Sequence, residues 1–177
     1  MILDLRTIPE GSRRYQFVLD EGWWPSEAQK DQILGIDGPV QVNLEVYKAG
    51  DKYVLEGELR GRLQVACDRC LEAYHRELRT TFRAYLALPL PQQDDTEIEL
   101  AEEDLEVDFI RGEEIELDEI IQEQIYLSLP MKSLCSENCL GLCPTCGSNL
   151  NAGKCHCHRE RGHPAFLKLQ NLKIEGE

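Results

Sequence analysis

The sequence predicts an α+β fold: an antiparallel β meander or partly closed barrel, packed against one helix and followed by a small cysteine-rich C-terminal lobe. Three observations support this prediction. Apolar and polar residues alternate with a period of two along 40–88, which is typical of half-buried strands. Apolar residues recur at helical spacing from Leu117 to Leu129. Six of the eight cysteines lie within residues 135–157.

The length of 177 residues and the hydrophobic content of 42% suit one core domain with an appendage. We place the core domain at 1–130, with an acidic insertion at 92–116, and the cysteine-rich lobe and tail at 131–177. The N-terminus lacks the apolar stretch of a secretory signal, and no segment reaches the roughly 18 apolar residues of a membrane span. These features predict a cytoplasmic protein without membrane contact, whose thiols stay reduced.

A hairpin is predicted around the first cysteine pair. Apolar residues alternate with polar ones along 55–65 and again along 78–86, with glycine or threonine at some of the inward positions, and Cys67–Cys70 lies between the two strands. The inward faces of both strands coincide when the paired residue numbers sum to an odd value near 139, and a sum of 139 sets Arg60 opposite Arg79. The cysteine pair then sits at or near the hairpin tip.

The outward face of this hairpin is rich in arginine. Guanidinium groups hold phosphates through forked hydrogen bonds, so this face is a candidate surface for a phosphate-bearing partner. The alternative is a solvated face on which nearby glutamates balance the arginines. The candidate partner-binding residues are Arg60, Arg62, Arg69, Arg79 and Arg83.

Two further elements follow the meander. Alternating apolar residues predict a strand near 104–110, after which Arg111-Gly112 turns the chain. The helical pattern that begins at Leu117 carries acidic residues in its first turn, where they interact favourably with the helix dipole. Pro130 marks the helix end because proline cannot donate a backbone hydrogen bond.

The negative charge is concentrated in one segment. Residues 92–123 contain fifteen acidic residues and one basic residue, Arg111, which together account for the net charge of −14. These carboxylates are scattered and lack a partnering histidine, so a solvated face is favoured over an acid–base or divalent-metal site. The overall charge argues against a protein wrapped in nucleic acid, although a local basic surface is compatible with it.

The C-terminal cysteines have the spacing of metal ligands. Zinc takes four tetrahedral ligands, and the pair Cys143–Cys146, followed by Gly147, has the form of a zinc knuckle. Cys155 and Cys157 can complete a site after an eight-residue loop. The first choice of zinc ligands is therefore Cys143, Cys146, Cys155 and Cys157.

The other cysteines allow a second site. Cys135 and Cys139 are four residues apart, a spacing that places them on one face of a helix, and they can combine with Cys67 and Cys70. His158 is an alternative to the last cysteine of the first site. A redox pair is the main alternative to metal binding, but neither C-x2-C pair lies in the βαβ context of thioredoxin-like enzymes.

Three segments, taken in order, carry a family resemblance: Cys67-Asp-Arg-Cys70-Leu71, Glu119-Ile-Ile-Gln-Glu-Gln-Ile-Tyr-Leu-Ser-Leu-Pro130, and Cys135-x3-Cys139-Leu-Gly-Leu-Cys143-Pro-x-Cys146-Gly-x-Asn149-Leu-Asn151. Over roughly residues 1–165 the chain resembles the bacterial YceD family, whose members are associated with accumulation of large-subunit ribosomal RNA. The resemblance implies a cytoplasmic factor in large-subunit biogenesis and supplies no catalytic residues.

The sequence contains no nucleophile–base pair, phosphate loop or metal-hydrolase motif, so we expect a protein that is not an enzyme and has no small-molecule substrate. The partner that the resemblance implies is 23S ribosomal RNA, a large-subunit ribosomal protein or a ribosome precursor. Two alternatives stay open. One is a zinc-ribbon module that binds a basic protein through the acidic segment without RNA contact. The other is a thiol redox sensor.

Overall fold

A computed structural model describes residues 1–8, 11–25, 32–88, 107–110 and 112–157. The long strands are those that the alternation predicts, and a single α-helix is found among the described residues. The elements in chain order are β1 (Ile2–Asp4), β2 (Ser12–Leu19), β3 (Ile33–Ile36), β4 (Val40–Ala49), β5 (Lys52–Ala66), β6 (Ala73–Ala87), β7 (Val107–Phe109), β8 (Glu114–Glu116) and α1 (Leu117–Leu127), with short 3-10 turns at Leu5–Thr7 and Glu21–Trp23.

Six strands form one sheet along the path β2-β4-β5-β6-β7, with β3 attached to β5. Neighbouring strands are antiparallel except β6 and β7, which run parallel. β3 pairs with the end of β5 that extends beyond β4, so β3 and β4 line the same edge of β5. The path is open, with β2 and β7 at its two ends. Of the two expected arrangements, the described strands therefore form the meander and do not close into a barrel.

The long hairpin of β5 and β6 has the register that the apolar alternation predicts. Arg60 lies opposite Arg79, as the sum of 139 requires. Leu59 and Leu63 are buried in the core, whereas both arginines are exposed. A slip of one residue would turn the leucines to solvent, so burial of one face determines the register.

The helix covers the inner face of the sheet and confirms the helical pattern. α1 buries Leu117, Ile121 and Ile125, which recur at the spacing of one helix face. It ends at Leu127, a few residues before the predicted stop at Pro130. β8 leads directly into α1 and pairs with β1 in a separate two-stranded sheet.

The acidic insertion expected at 92–116 falls partly on described residues. Residues 92–106 and Arg111 lie outside them, whereas the remainder supplies β7 and β8. Val107 and Ile115 in these strands are buried, and β7 confirms the strand expected near 104–110. None of the helices in the described part of the chain has the length and apolar content to cross a membrane.

Two glycines in β5, which have no side chain, let side chains of the neighbouring strands pack directly against the β5 backbone. A Cβ atom at Gly57 would lie 2.2 Å from Cε1 of Phe82, which is its cross-strand partner. A Cβ atom at Gly61 would lie 2.5 Å from Cγ2 of Val40, which is fully buried. The core beneath the hairpin is therefore packed against bare backbone at these two positions.

We expect Gly61→Ala to lower the free energy of unfolding by about 1–3 kcal/mol, as overpacking of a core does. The reason is that the added methyl group also meets the backbone Cα of Val40 at 3.0 Å, which cannot rotate away. Gly35→Ala in β3 is the matched control, because a Cβ there meets no atom within 4 Å. Urea unfolding measures both variants, and equal midpoints would contradict this packing.

Candidate metal centres

The eight cysteines converge into two groups of four. The hairpin cluster consists of Cys67, Cys70, Cys135 and Cys139, and the terminal cluster of Cys143, Cys146, Cys155 and Cys157. Within each cluster the four sulfur atoms lie within 4.8 Å of one another. All eight thiols are free, so each cluster offers four sulfur ligands. His158, the alternative ligand, lies outside the described residues.

The sulfur separations in the hairpin cluster fit a shared ion and not disulfides. Four thiolates bound tetrahedrally at about 2.3 Å, the zinc–sulfur distance, lie about 3.8 Å from one another. The sulfur atoms of Cys67 and Cys139 are 3.8 Å apart, and those of Cys70 and Cys135 are 3.7 Å apart. A disulfide bond is about 2.05 Å long. The four thiols are thus close enough together that they could bind one ion.

Each cluster is built on a C-x2-C loop with the same backbone hydrogen bonds. The N–H of the first cysteine donates to the carbonyl five residues ahead, at 3.0 Å for Cys67 and 2.8 Å for Cys143. The N–H of the residue after the second cysteine donates back to the first cysteine's carbonyl, at 2.8 Å in both loops. The turn directs the N–H groups two and three residues ahead at the first sulfur. Both loops are therefore knuckles that stabilise a thiolate.

The residue that closes each knuckle has a left-handed backbone, with φ of 61° at Leu71 and 73° at Gly147. Glycine adopts this conformation without steric cost, whereas another L-residue there is strained by roughly 1–2 kcal/mol. Leu71 is the one non-glycine residue with positive φ among the described residues. Its side chain is 67% exposed, so burial does little to offset the strain.

Contacts with the hairpin tip hold the chain that follows α1. The N–H of Asp68 donates to the carbonyl of Ser133 at 2.9 Å, and the N–H of Ser133 donates to the Asp68 carboxylate at 2.6 Å. Nη1 of Arg69 donates to the carbonyl of Cys139 at 2.9 Å, and the N–H of Leu142 donates to the carbonyl of Arg69 at 3.1 Å. These bonds bring together the two halves of the hairpin cluster.

Cys135 and Cys139 do not share a helix face, contrary to the prediction from their spacing. Residues 128–150 contain turns and no helix. The chain reverses at Ser136, whose carbonyl accepts from the N–H of Cys139 at 3.1 Å. Anchoring to the hairpin tip at Ser133 and at Cys139 determines this path, and local helical propensity does not.

Hydrogen bonding separates the acidities of the thiols in the hairpin cluster. Burial opposes ionisation of Cys67, but the N–H groups of Cys135, Cys70 and Arg69 outweigh it and lower the pKa to about 6. The N–H of Glu72 favours the thiolate of Cys70, yet burial and the neighbouring thiols outweigh it and raise that pKa to about 12. A bound metal ion removes the difference, because coordinated thiols are deprotonated.

The terminal cluster shows the same division but is more exposed. The N–H groups of Cys146 and Thr145 lower the pKa of Cys143 to about 6, and the Cys146 thiol, with burial, raises the pKa of Cys157 to about 12. Of its four cysteines only Cys143 is buried, whereas three of the four are buried in the hairpin cluster. An ion in the terminal cluster is consequently more accessible to solvent.

The five arginines predicted to bind a partner are exposed, but most are engaged within the chain. Arg69 holds the loop of Cys139, as described above. Arg79 has no hydrogen bond or ion pair with another described residue. The other three form ion pairs at 2.5–3.3 Å: Arg60 with Glu58, Arg62 with Asp37, and Arg83 with Glu56.

Asn151 is a site residue that the sequence pattern does not indicate. Its side-chain Nδ2 donates to the sulfur of Cys139 at 3.3 Å and is the largest influence lowering the pKa of that thiol. Asn151 lies in the loop of the terminal cluster but contacts the hairpin cluster. Asn149-Leu-Asn151 is visible in the sequence as a turn signal. A turn signal does not reveal a contact with a distant sulfur.

The open sheet and the two clusters define a class of protein: a β-meander scaffold whose hairpin tip is joined to the C-terminal segment by cysteine groups that can bind metal ions. The chain belongs to the YceD family. The family described as "Large ribosomal RNA subunit accumulation protein YceD" matches residues 55–173, which confirms the resemblance. The match spans nearly all of the long hairpin and both clusters.

Curated relatives occur in plants and bacteria. The "Large ribosomal RNA subunit accumulation protein YCED homolog 1, chloroplastic" of Arabidopsis thaliana is 28% identical over 76% of this chain and 49% of its own length. Uncharacterized proteins of Mycobacterium leprae and Mycobacterium tuberculosis are 28% and 29% identical, over 79% and 80% of this chain and 62% and 66% of their own lengths. The chain thus spans about half to two thirds of these relatives. No solved structure matches it significantly.

We expect Leu71→Gly to stabilise the protein by roughly 0.5–1 kcal/mol, because relief of left-handed strain exceeds the added entropy of the unfolded chain. Leu140→Gly is the matched control. Leu140 is 66% exposed and has no positive φ, so glycine there is expected to destabilise. Thermal unfolding of protein purified without chelator compares the melting temperatures of the two variants. Equal decreases in melting temperature would contradict the strain at Leu71.

Proposed function

We propose that this protein is a non-enzymatic, cytoplasmic factor that supports accumulation of large-subunit ribosomal RNA. In this role it binds 23S ribosomal RNA or a large-subunit ribosomal protein during ribosome biogenesis. The observation that carries the proposal is the family match across the hairpin and both cysteine clusters. The name of the Arabidopsis relative describes accumulation of the large ribosomal RNA subunit.

Zinc is the proposed metal in both clusters. Soft thiolate ligands favour zinc among the common divalent ions, and four protein ligands are the usual set of a structural zinc site. A catalytic zinc site keeps one position open for water or substrate. Four converging thiols leave no such position, which supports a binding factor over a hydrolase.

The proposed ion in the hairpin cluster joins segments that are distant in sequence. The ligand pair of Cys67 and Cys139 is separated by 72 positions, and the sulfur atoms are 3.8 Å apart. Binding an ion only in the folded state stabilises that state by mass action. The zinc would thus make the hairpin tip and the segment after α1 a single rigid surface.

The proposed contact surface is the arginine face of the hairpin. Arg79 is the guanidinium of this group without a partner among the described residues, and its β5 neighbour is Arg60. The ion pairs of Arg60 and Arg62 are exposed, and exposed pairs contribute little to stability. A phosphate can therefore replace the carboxylate at these positions with little loss.

Two alternatives have a specific observation in their favour. The ion pairs leave the hairpin face nearly neutral, which suits a module that binds a protein without RNA contact. The lowered pKa of Cys67 and Cys143, about 6 in each case, suits a thiol redox sensor when no metal is bound. Metal content and nuclease sensitivity separate these alternatives from the proposal.

We expect protein purified without chelator to carry two zinc ions per chain by elemental analysis. Replacing Cys155 and Cys157 with serine should leave one ion and an intact sheet by circular dichroism. Replacing Cys67 and Cys70 should also leave one ion but lower the melting temperature more, because that cluster is buried and joins distant segments. A metal-free protein with a reversible disulfide would favour the redox sensor.

We expect Arg79→Glu to weaken association with ribosomal precursors and to reduce its dependence on salt by about one unit of the log–log slope, the loss of roughly one phosphate contact. Arg14→Glu is the matched control: Arg14 is exposed on β2 at the far edge of the sheet and pairs with Glu45. Charge reversal of Arg60, Arg62 and Arg79 together should enlarge the effect.

The association is measured by pulldown from cell extract before and after nuclease treatment. Loss of association after nuclease identifies RNA as the first contact, and retention identifies a protein. If the Arg79→Glu and Arg14→Glu variants both associate as strongly as the wild-type protein does, the arginine face is rejected as the contact surface.

A further inference from the structure

Asn151 links the two cysteine clusters. It lies in the loop between Cys146 and Cys155 of the terminal cluster, yet its Nδ2 donates to the sulfur of Cys139 in the hairpin cluster at 3.3 Å. Its Oδ1 accepts from the N–H of Leu140 at 2.7 Å. Because a backbone N–H can only donate, this bond fixes which end of the amide faces the sulfur.

The loop that carries Asn151 is held on the side of the hairpin cluster. The N–H and Nδ2 of Asn151 both donate to Oδ1 of Asn149, at 3.0 and 2.9 Å. The N–H of Leu150 donates to the carbonyl of Gly141 at 2.9 Å, and Asn149 forms a β-bridge with Leu142. The amide is therefore preorganised towards the sulfur by its neighbours and does not reach it by chance rotation.

We propose that Asn151 is a positioning residue that couples metal binding at the two clusters. An ion in the terminal cluster closes the loop, since Cys146 and Cys155 flank it. Closure holds the amide against Cys139, where its hydrogen bond stabilises the thiolate as a ligand. Outer hydrogen bonds of this kind commonly contribute 10- to 100-fold to metal affinity. By linkage, an ion in the hairpin cluster strengthens binding at the terminal cluster by the same factor.

Because the two clusters differ in solvent exposure, their ions are expected to be lost in a defined order. Three cysteines of the hairpin cluster are buried, so competing ligands reach the terminal ion first. Loss of that ion removes the tether of the loop at Cys146 and Cys155, so that only its remaining hydrogen bonds hold the amide of Asn151 and the ion at the hairpin tip binds more weakly. This inference rests on the metal binding proposed above and is independent of the ribosomal role.

The test uses the full chain loaded with cadmium, whose 113Cd resonances report each cluster separately. The signal lost in the Cys155→Ser, Cys157→Ser variant identifies the terminal cluster. Chelator competition then measures the affinity of the hairpin cluster. We expect Asn151→Ala to keep both resonances and to weaken the hairpin cluster about 10- to 100-fold. The Cys155→Ser, Cys157→Ser substitutions should weaken metal binding at the hairpin cluster by a similar factor in the wild-type chain. In a chain that already carries Asn151→Ala, they should weaken it little further.

Asn138→Ala is the matched control. Asn138 is exposed, adjoins Cys139, and its side chain forms no hydrogen bond with the described residues. Equal hairpin-cluster affinities in the Asn151 and Asn138 variants would overturn the coupling while leaving two-metal binding intact. Additive losses from Asn151→Ala and removal of the terminal cluster would also overturn it. A chain that binds neither cadmium nor zinc would overturn both the coupling and the metal proposal.

Discussion

Convergence of four thiols from distant parts of the chain is the constraint on which the rest of the structure depends. Cys67 and Cys139 are 72 positions apart, and their sulfur atoms approach to 3.8 Å. Thiols gathered this closely oppose one another's ionisation, as the divided pKa values of Cys67 and Cys70 show. A cation is the partner that lets all four ionise. The tip of the β5–β6 hairpin and the turns after α1 bring these four thiols together, in an arrangement that could hold one metal ion.

The packing of β5 and β6 within the sheet holds the hairpin tip in place. β5 and β6 pair along fifteen positions, and the glycines of β5 let Phe82 and Val40 pack closely across it. A long and well-packed hairpin holds its tip in a defined place, because twist and register are set along its whole length. The knuckle at Cys67 therefore has a rigid base, and the chain after α1 is folded onto it through hydrogen bonds to Asp68 and Arg69.

The charges on the outward face of the hairpin limit what the proposed contact surface can bind. An arginine-rich strand is not a strongly basic surface when carboxylates lie beside it, as Glu58 and Asp37 do for Arg60 and Arg62. A partner that contacts this face must exchange those ion pairs, which favours a specific contact over diffuse attraction to polyanions. Arg79, which has no ion pair with any of the described residues, distinguishes the centre of the hairpin from the rest of the sheet face.

The sequence by itself determined the long strands of 40–88, the register of Arg60 with Arg79 and the helix from Leu117, because periodicity encodes which side of each element is buried. Ligand spacing likewise indicated the local cysteine pairs. The tertiary structure alone decided that the described strands form an open sheet, that Cys135 and Cys139 converge without a helix, and that Asn151 contacts the other cluster. These features depend on where distant segments meet. A local sequence pattern carries no information about these tertiary contacts, since they form only when the chain has folded.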